Sequence, residues 1–82
     1  MTFRAQVYDT STLGFALQQA RLVKGLTQRQ LAEQLGVSQR YIWELESGKE
    51  SLAITRLLSA LKATGAELFI DVPEPPQDAH RG

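Results

Sequence analysis

Residues 27–49 read TQRQLAEQLGVSQRYIWELESGK, and the organisation of the rest of the chain follows from this segment. Apolar residues recur at three- and four-residue spacing on both sides of a glycine, which predicts two short helices. Thr27 begins the first helix with a capping-box sequence, and Gly36 ends it. Ser38 begins the second helix, which ends at Gly48. A three-residue connection that contains a glycine lets two such helices cross steeply, which is the helix-turn-helix arrangement.

One further helix is predicted on each side of this pair. The earlier helix begins near Ser11 or Thr12 and ends at Gly25, whereas the later helix begins near Ser51 and closes at Gly65. The four helices carry apolar positions expected to face a common core: Leu13, Ala16, Leu17, Ala20 and Val23; Leu31, Ala32 and Leu35; Ile42 and Leu45; Leu52, Ile54, Leu57, Leu58 and Leu61.

Beyond Gly65 the period of the apolar residues changes from about 3.6 to 2, which predicts a strand. This strand needs a pairing partner for its backbone. The partner is either the alternating stretch 3–7 or the same strand of a second subunit, and the small core of so short a chain favours the second subunit. The residues expected to mediate dimerisation are Leu68, Phe69, Ile70 and Val72. We therefore expect a domain over 1–73 and a polar, proline-rich, disordered tail over 74–82.

The amino-acid composition limits the classes of function that the chain can have. Eighty-two residues allow one domain, and 43% apolar residues are ordinary for a soluble globular protein. The chain has no cysteine and one histidine, His80, so that neither a disulfide nor a zinc site is expected and no cofactor is predicted. It also lacks an apolar run of membrane-spanning length and an evident nucleophile, base or phosphate-binding loop. These features predict a cytoplasmic protein that is not an enzyme.

Charge is distributed unevenly along the chain. Nine basic residues balance nine acidic ones overall. Residues 21–66 hold seven basic against four acidic side chains, net +3, whereas residues 67–82 hold one against four, net −3. This asymmetry suits a polyanion-binding body with an acidic end, although a segment of this charge also arises readily by chance.

The second helix of the central pair carries the candidate functional residues. In a helix-turn-helix this helix projects its N-terminal side chains into the DNA major groove. Gln39 and Arg40 are candidates for base contact, because Gln pairs with adenine and Arg with guanine. Glu44 can accept from cytosine or balance Arg40 one turn earlier. Trp43 can contact a thymine methyl group, pack on the last helix or lie in a protein interface; packing is favoured because Trp is highly buried on average.

The segment Arg21–Lys49 resembles the XRE, or Cro/cI-repressor, helix-turn-helix family, through the pattern TQxxLAxxxGVSQxxIxxLExGK. The resemblance extends from Leu13 to Gly65. It implies a mainly α fold, a compact four- to five-helix lambda-repressor-like DNA-binding bundle, here with a C-terminal strand that pairs in a dimer. It also implies a homodimer that binds a palindromic operator.

The same resemblance implies roles for individual residues. Gln39, Arg40 and Glu44 would face bases. A salt bridge between Arg21 and Glu46 would connect the first helix to the end of the third. The candidates for contact with the DNA backbone are Gln28, Ser38, Tyr41, Ser47 and Lys49.

The predicted strand within Ala63–Pro73 takes the place of a fifth helix and looks like the antitoxin of HipBA-type toxin–antitoxin pairs. This second resemblance implies an antitoxin that represses its own operon and binds a HipA-like serine/threonine kinase. Two alternatives stay open: a stand-alone XRE-family repressor without a toxin, and a protein-interaction module that does not bind DNA. An apolar rather than polar face on the second helix of the pair would favour the interaction module.

Overall fold

Four helices and two strands make up residues 2–74, the part of the chain that this computed structural model describes. In chain order they are β1 (Thr2–Val7), α1 (Thr10–Lys24), α2 (Gln28–Leu35), α3 (Gln39–Glu46), α4 (Leu52–Ala63) and β2 (Leu68–Pro73). The predicted mainly helical bundle is confirmed, with four helices in the described residues. The predicted tail lies outside the described residues except for Glu74.

Reciprocal capping boxes mark where α1 and α2 begin. α1 begins at Thr10, slightly earlier than predicted, because Asp9 and Thr12 form a reciprocal capping box. The predicted capping box of Thr27 and Gln30 is present at the start of α2. α2 ends at Gly36, whose φ of 70° is the left-handed conformation that glycine adopts without steric cost.

The two strands pair with each other, antiparallel, and bring the two ends of the described chain together. Phe3 lies opposite Val72, and Val7 lies opposite Leu68. The favoured expectation, that β2 finds its partner strand in a second subunit, is corrected here: β2 pairs with residues 2–7 of its own chain. The N-terminal stretch is close enough because α1 and α4 return the chain to the same side of the bundle.

The core is small, and each of the six elements contributes one buried apolar residue to it. Its most completely buried side chains are Ile42 of α3 and Val72 of β2. The other buried apolar residues are Val7, Ala16, Ala32 and Leu58. The expectation that every apolar position on the helices is buried is wrong at Leu35, Leu52 and Leu57, which are each about 60% exposed. These three side chains lie on the solvent side of short helices, where no neighbouring element of the described chain covers them.

None of the helices in the described range 2–74 combines the length and the apolar character needed to cross a membrane.

Candidate nucleic-acid interface

The α2–turn–α3 unit forms the candidate interface. The Val37 N–H donates to the Ala32 carbonyl at 3.0 Å, which closes the end of α2. The Ser38 hydroxyl oxygen then accepts from the Tyr41 N–H at 3.0 Å and caps α3. Ile42 is wholly buried, so α3 is held against the bundle by one face and its opposite face is free.

The free face of α3 borders a concavity that we call the α3 concavity, lined by Gln28, Gln39, Arg40 and Trp43, with a volume of about 550 Å³. Gln39 and Arg40 are exposed, as their predicted role requires. The expectation that Trp43 packs in the protein is wrong, because Trp43 is 56% exposed. Sequence spacing contained the signal: Trp43 is four residues from Gln39 and three from Arg40, which places all three on one helix face.

Glu44 joins the two cations that flank the exposed face. Its Oε2 accepts from Lys49 Nζ at 2.9 Å and from Arg40 Nε at 3.3 Å. The Lys49 hydrogen bond, followed by that of Arg40, lowers the pKa of Glu44 below its usual value. Of the two predicted roles of Glu44, balancing Arg40 is therefore the one observed in the unbound protein. The cluster carries a net charge of +1, which leaves it attractive to a polyanion.

The predicted Arg21–Glu46 salt bridge is present and buried. Arg21 donates to both carboxylate oxygens of Glu46, at 2.5 and 3.0 Å, and a third donor of Arg21 reaches the Leu26 carbonyl at 2.8 Å. Gln28 Nε2 also donates to Glu46 at 3.1 Å. Burial raises the pKa of Glu46, but the hydrogen bonds from Arg21 and Gln28 outweigh it and lower the pKa overall. This network joins α1, α2 and α3 directly behind the candidate interface.

The candidates for backbone contact lie at both ends of α3. Ser38 is at its N-terminus, and Tyr41 is 48% exposed in its first turn. Ser47 and Lys49 follow the C-terminus, where the Ser47 hydroxyl donates to the Glu44 carbonyl at 2.9 Å. Gln28 already donates to Glu46, so a phosphate contact by Gln28 requires that this hydrogen bond be shared or exchanged. Their contacts with DNA stay predictions.

The four predicted dimerisation residues alternate between the two faces of β2. Val72 is fully buried in its own chain, and Leu68 and Ile70 are half-buried on the same face. Phe69 points the other way, is 43% exposed, and lies under the Arg4 guanidinium, 5.5 Å from the ring centre. On this outer face Arg4 also pairs with Asp71 across the strands at 2.9 Å.

Comparison with known proteins agrees with this architecture. A family model described as a helix-turn-helix domain matches residues 12–68, which is well over half of the chain. Neither the curated proteins nor the solved structures contain a match. The matched range begins within α1, includes the whole α2–turn–α3 unit and ends at the start of β2. The chain belongs to the helix-turn-helix domain family.

Proposed function

We propose that this protein is a sequence-specific DNA-binding transcriptional repressor whose α3 enters the major groove. The observation that carries the proposal is the exposed face of α3, where Gln39, Arg40 and Trp43 are open to solvent while Ile42 of the same helix is buried. Helices of this motif read bases with their N-terminal residues. The polar groups on the face favour DNA over a purely apolar protein-binding surface.

Each side chain has a distinct role in the proposed complex. Gln39 and Arg40 read base edges by bidentate hydrogen bonding, to adenine and guanine respectively. Glu44 holds Arg40 and Lys49 in place before binding and accepts from cytosine where the sequence provides one. Ser38, Tyr41, Ser47, Lys49 and Gln28 contact the phosphate backbone, which positions α3 but does not specify the sequence.

The test is a gel shift on the DNA upstream of the protein's own gene and on random DNA of equal length. Replacing Arg40 with Ala should cost about 1–3 kcal/mol on the upstream site and little on random DNA. Arg56→Ala, which removes an exposed arginine of α4, is the matched control and should change neither the affinity for the upstream site nor that for random DNA. An equal loss on both DNAs with Arg40→Ala would contradict base reading by Arg40. No shift of either DNA by the native protein would contradict DNA binding.

We also propose that the protein is the HipB-like antitoxin of a type II toxin–antitoxin pair and binds a HipA-like kinase. The support is the sequence resemblance of its terminal strand region. The gel shift should be repeated with the product of the adjacent gene. A further retardation of the DNA complex would support the antitoxin role, whereas an unchanged shift would leave a stand-alone repressor.

A homodimer follows from the same proposal, because a palindromic operator requires two α3 helices about 34–36 Å apart. An apolar groove of about 410 Å³, which no other part of residues 2–74 covers, supports it. The groove is bordered by α1, α3, α4 and β2, and its apolar lining includes Leu13, Leu17, Leu45, Ile54 and Ile70. An uncovered apolar surface of this kind typically marks a protein interface.

Light scattering tests the homodimer directly. The native protein should have twice the chain mass of 9.1 kDa. Two variants show which surface forms the dimer. If the apolar groove is the interface, Ile70→Ser should yield a monomer; if the outer face of the sheet is the interface, Phe69→Ser should yield one. A native mass of 9.1 kDa at micromolar concentration would exclude a stable dimer.

A further inference from the structure

The exposed indole of Trp43 lies in the middle of the reading face of α3. Successive helix residues are rotated by about 100°, so Gln39, Trp43 and Arg40 lie at about 0°, 40° and 100° around the helix axis. The buried Ile42 lies at about 300°, roughly 160° from Arg40 and 100° from Trp43, so the buried side of α3 does not include Trp43. Trp43 therefore lies between the two predicted base-reading side chains, on the surface that faces outward.

The surroundings of Trp43 combine one apolar surface with several hydrogen-bonding groups. It lines the α3 concavity together with Gln28, Gln39 and Arg40, none of which is apolar. A protein surface that docked here by the hydrophobic effect would have to desolvate these polar and charged groups. A DNA major groove presents polar base edges to them instead, and its negative phosphates suit the net positive charge of Arg40, Glu44 and Lys49.

The chemistry of the major groove determines what an indole can recognise there. Among the base edges in this groove, the apolar group is the C5-methyl of thymine. We infer that Trp43 is a specificity-determining residue that contacts the C5-methyl group of a thymine in the bound site. The thymine lies beside the bases that Gln39 and Arg40 read. This inference rests on the proposed DNA-binding function and adds an apolar subsite to it.

The experiment begins with selection of a binding site from random duplex DNA by the native protein. Each thymine of the selected site is then replaced in turn by deoxyuridine, which removes the C5-methyl group and leaves the hydrogen-bonding edge intact. At one position per half-site, the native protein should lose about fourfold in affinity, the value of one buried methyl group. The test requires no protein variant, so a folding defect cannot mimic the result.

Trp43→Ala then assigns the methyl contact to the indole. This variant should bind the thymine site about tenfold more weakly, and it should no longer distinguish thymine from deoxyuridine at the sensitive position. Phe15→Ala is the matched control, because Phe15 is an aromatic residue of α1 that is 52% exposed and does not line the α3 concavity. It should retain both the affinity and the discrimination of the native protein.

The fluorescence of Trp43 provides an independent readout, since the chain contains one tryptophan. Iodide should quench the Trp43 fluorescence in the free protein. In the DNA complex the bound DNA should keep iodide away from the indole, so that quenching is lost. An indole that stays accessible to iodide in the saturated complex would overturn the inference.

The outcomes separate this inference from the function on which it rests. Failure of the native protein to select any DNA would overturn both. Selection of a site at which no thymine is sensitive to deoxyuridine would overturn the methyl contact alone. Normal DNA binding by Trp43→Ala, with lost binding of the adjacent gene product, would overturn the inference and assign Trp43 to a protein interface.

Discussion

At the scale of single residues, the buried ion pair of Arg21 and Glu46 is the most consequential contact. Their side chains are 9% and 3% exposed, so each charge depends on the other for stabilisation. Two hydrogen bonds between the planar guanidinium and the carboxylate, with a third to the Leu26 carbonyl, satisfy most of the Arg21 donors. The pair therefore fixes the register of α1 against the end of α3.

Replacing Arg21 with Met should lower the free energy of unfolding by about 3 kcal/mol, because Glu46 would stay buried without its cation. Chemical denaturation at neutral pH measures this value. The double variant Arg21→Met, Glu46→Leu should recover much of the loss, since it removes both charges together. If the loss in the double variant equalled the sum of the losses in Arg21→Met alone and Glu46→Leu alone, the two residues would not be energetically coupled.

The difference in stability between the native protein and the double variant Arg21→Met, Glu46→Leu should also depend on pH. The pKa of Glu46 is lower in the folded protein than its usual value near 4.5. Its contribution to stability is therefore present above about pH 4.5 and is lost as the pH falls through the lower, folded-state pKa. The difference between native protein and double variant should shrink in that acidic range.

At the scale of elements, α1 and α3 approach each other unusually closely at Gly14. A Cβ atom at this position would lie 2.3 Å from the Leu45 carbonyl oxygen and 2.7 Å from that of Glu46. Both contacts are with backbone, which cannot move aside as a flexible side chain can. The glycine thus permits the helix crossing that aligns Arg21 with Glu46 and presents the opposite face of α3.

Gly14→Ala should therefore destabilise the protein, although the same change in an open helix stabilises it by about 0.5–1 kcal/mol. The steric conflict should outweigh this gain and lower the melting temperature. Thermal unfolding followed by circular dichroism measures the change. Gln34→Ala, at an exposed position of α2, is the control and should leave stability within about 0.5 kcal/mol. A melting temperature equal to or above that of the native protein would show that α1 can shift without cost.

At the scale of the whole molecule, the two-stranded sheet closes the bundle by joining residues far apart in the chain. Its inner face places Val7 and Val72 in the core, which otherwise contains few large side chains. Its outer face carries the exposed Arg4–Asp71 pair. The burial of Val72 thus depends on both ends of the chain being in place.

Val72→Ala should lower the free energy of unfolding by about 2 kcal/mol, the combined effect of two lost methyl groups and the cavity they leave. Urea denaturation is the measurement. The neighbouring Asp71→Ala should have a smaller effect, because exposed ion pairs contribute little. An effect of Asp71→Ala as large as that of Val72→Ala would mean that the sheet is stabilised from its outer face instead.

Local signals along the chain were sufficient to predict all four helices, the C-terminal strand and the α2–turn–α3 unit. The capping box at Thr27 and the glycine at Gly36 act on their immediate neighbours, so the local sequence contains the information needed to recognise them. The Arg21–Glu46 pair was predicted through the resemblance rather than from spacing. The exposure of Gln39 and Arg40 was predictable because the turn and the helix period determine which side of α3 is free.

Long-range contacts decided the rest. β2 pairs with β1 because the helices return the chain ends to one side of the bundle, and strand alternation alone does not specify its partner. Trp43 is exposed because no helix or strand of the described residues reaches that side of α3, which the average burial of tryptophan does not reveal. Glu44 pairs with Lys49 as well as Arg40 only because the chain after α3 turns back toward it. Side-chain exposure and partner choice depend on how elements pack, and packing is a property of the tertiary structure.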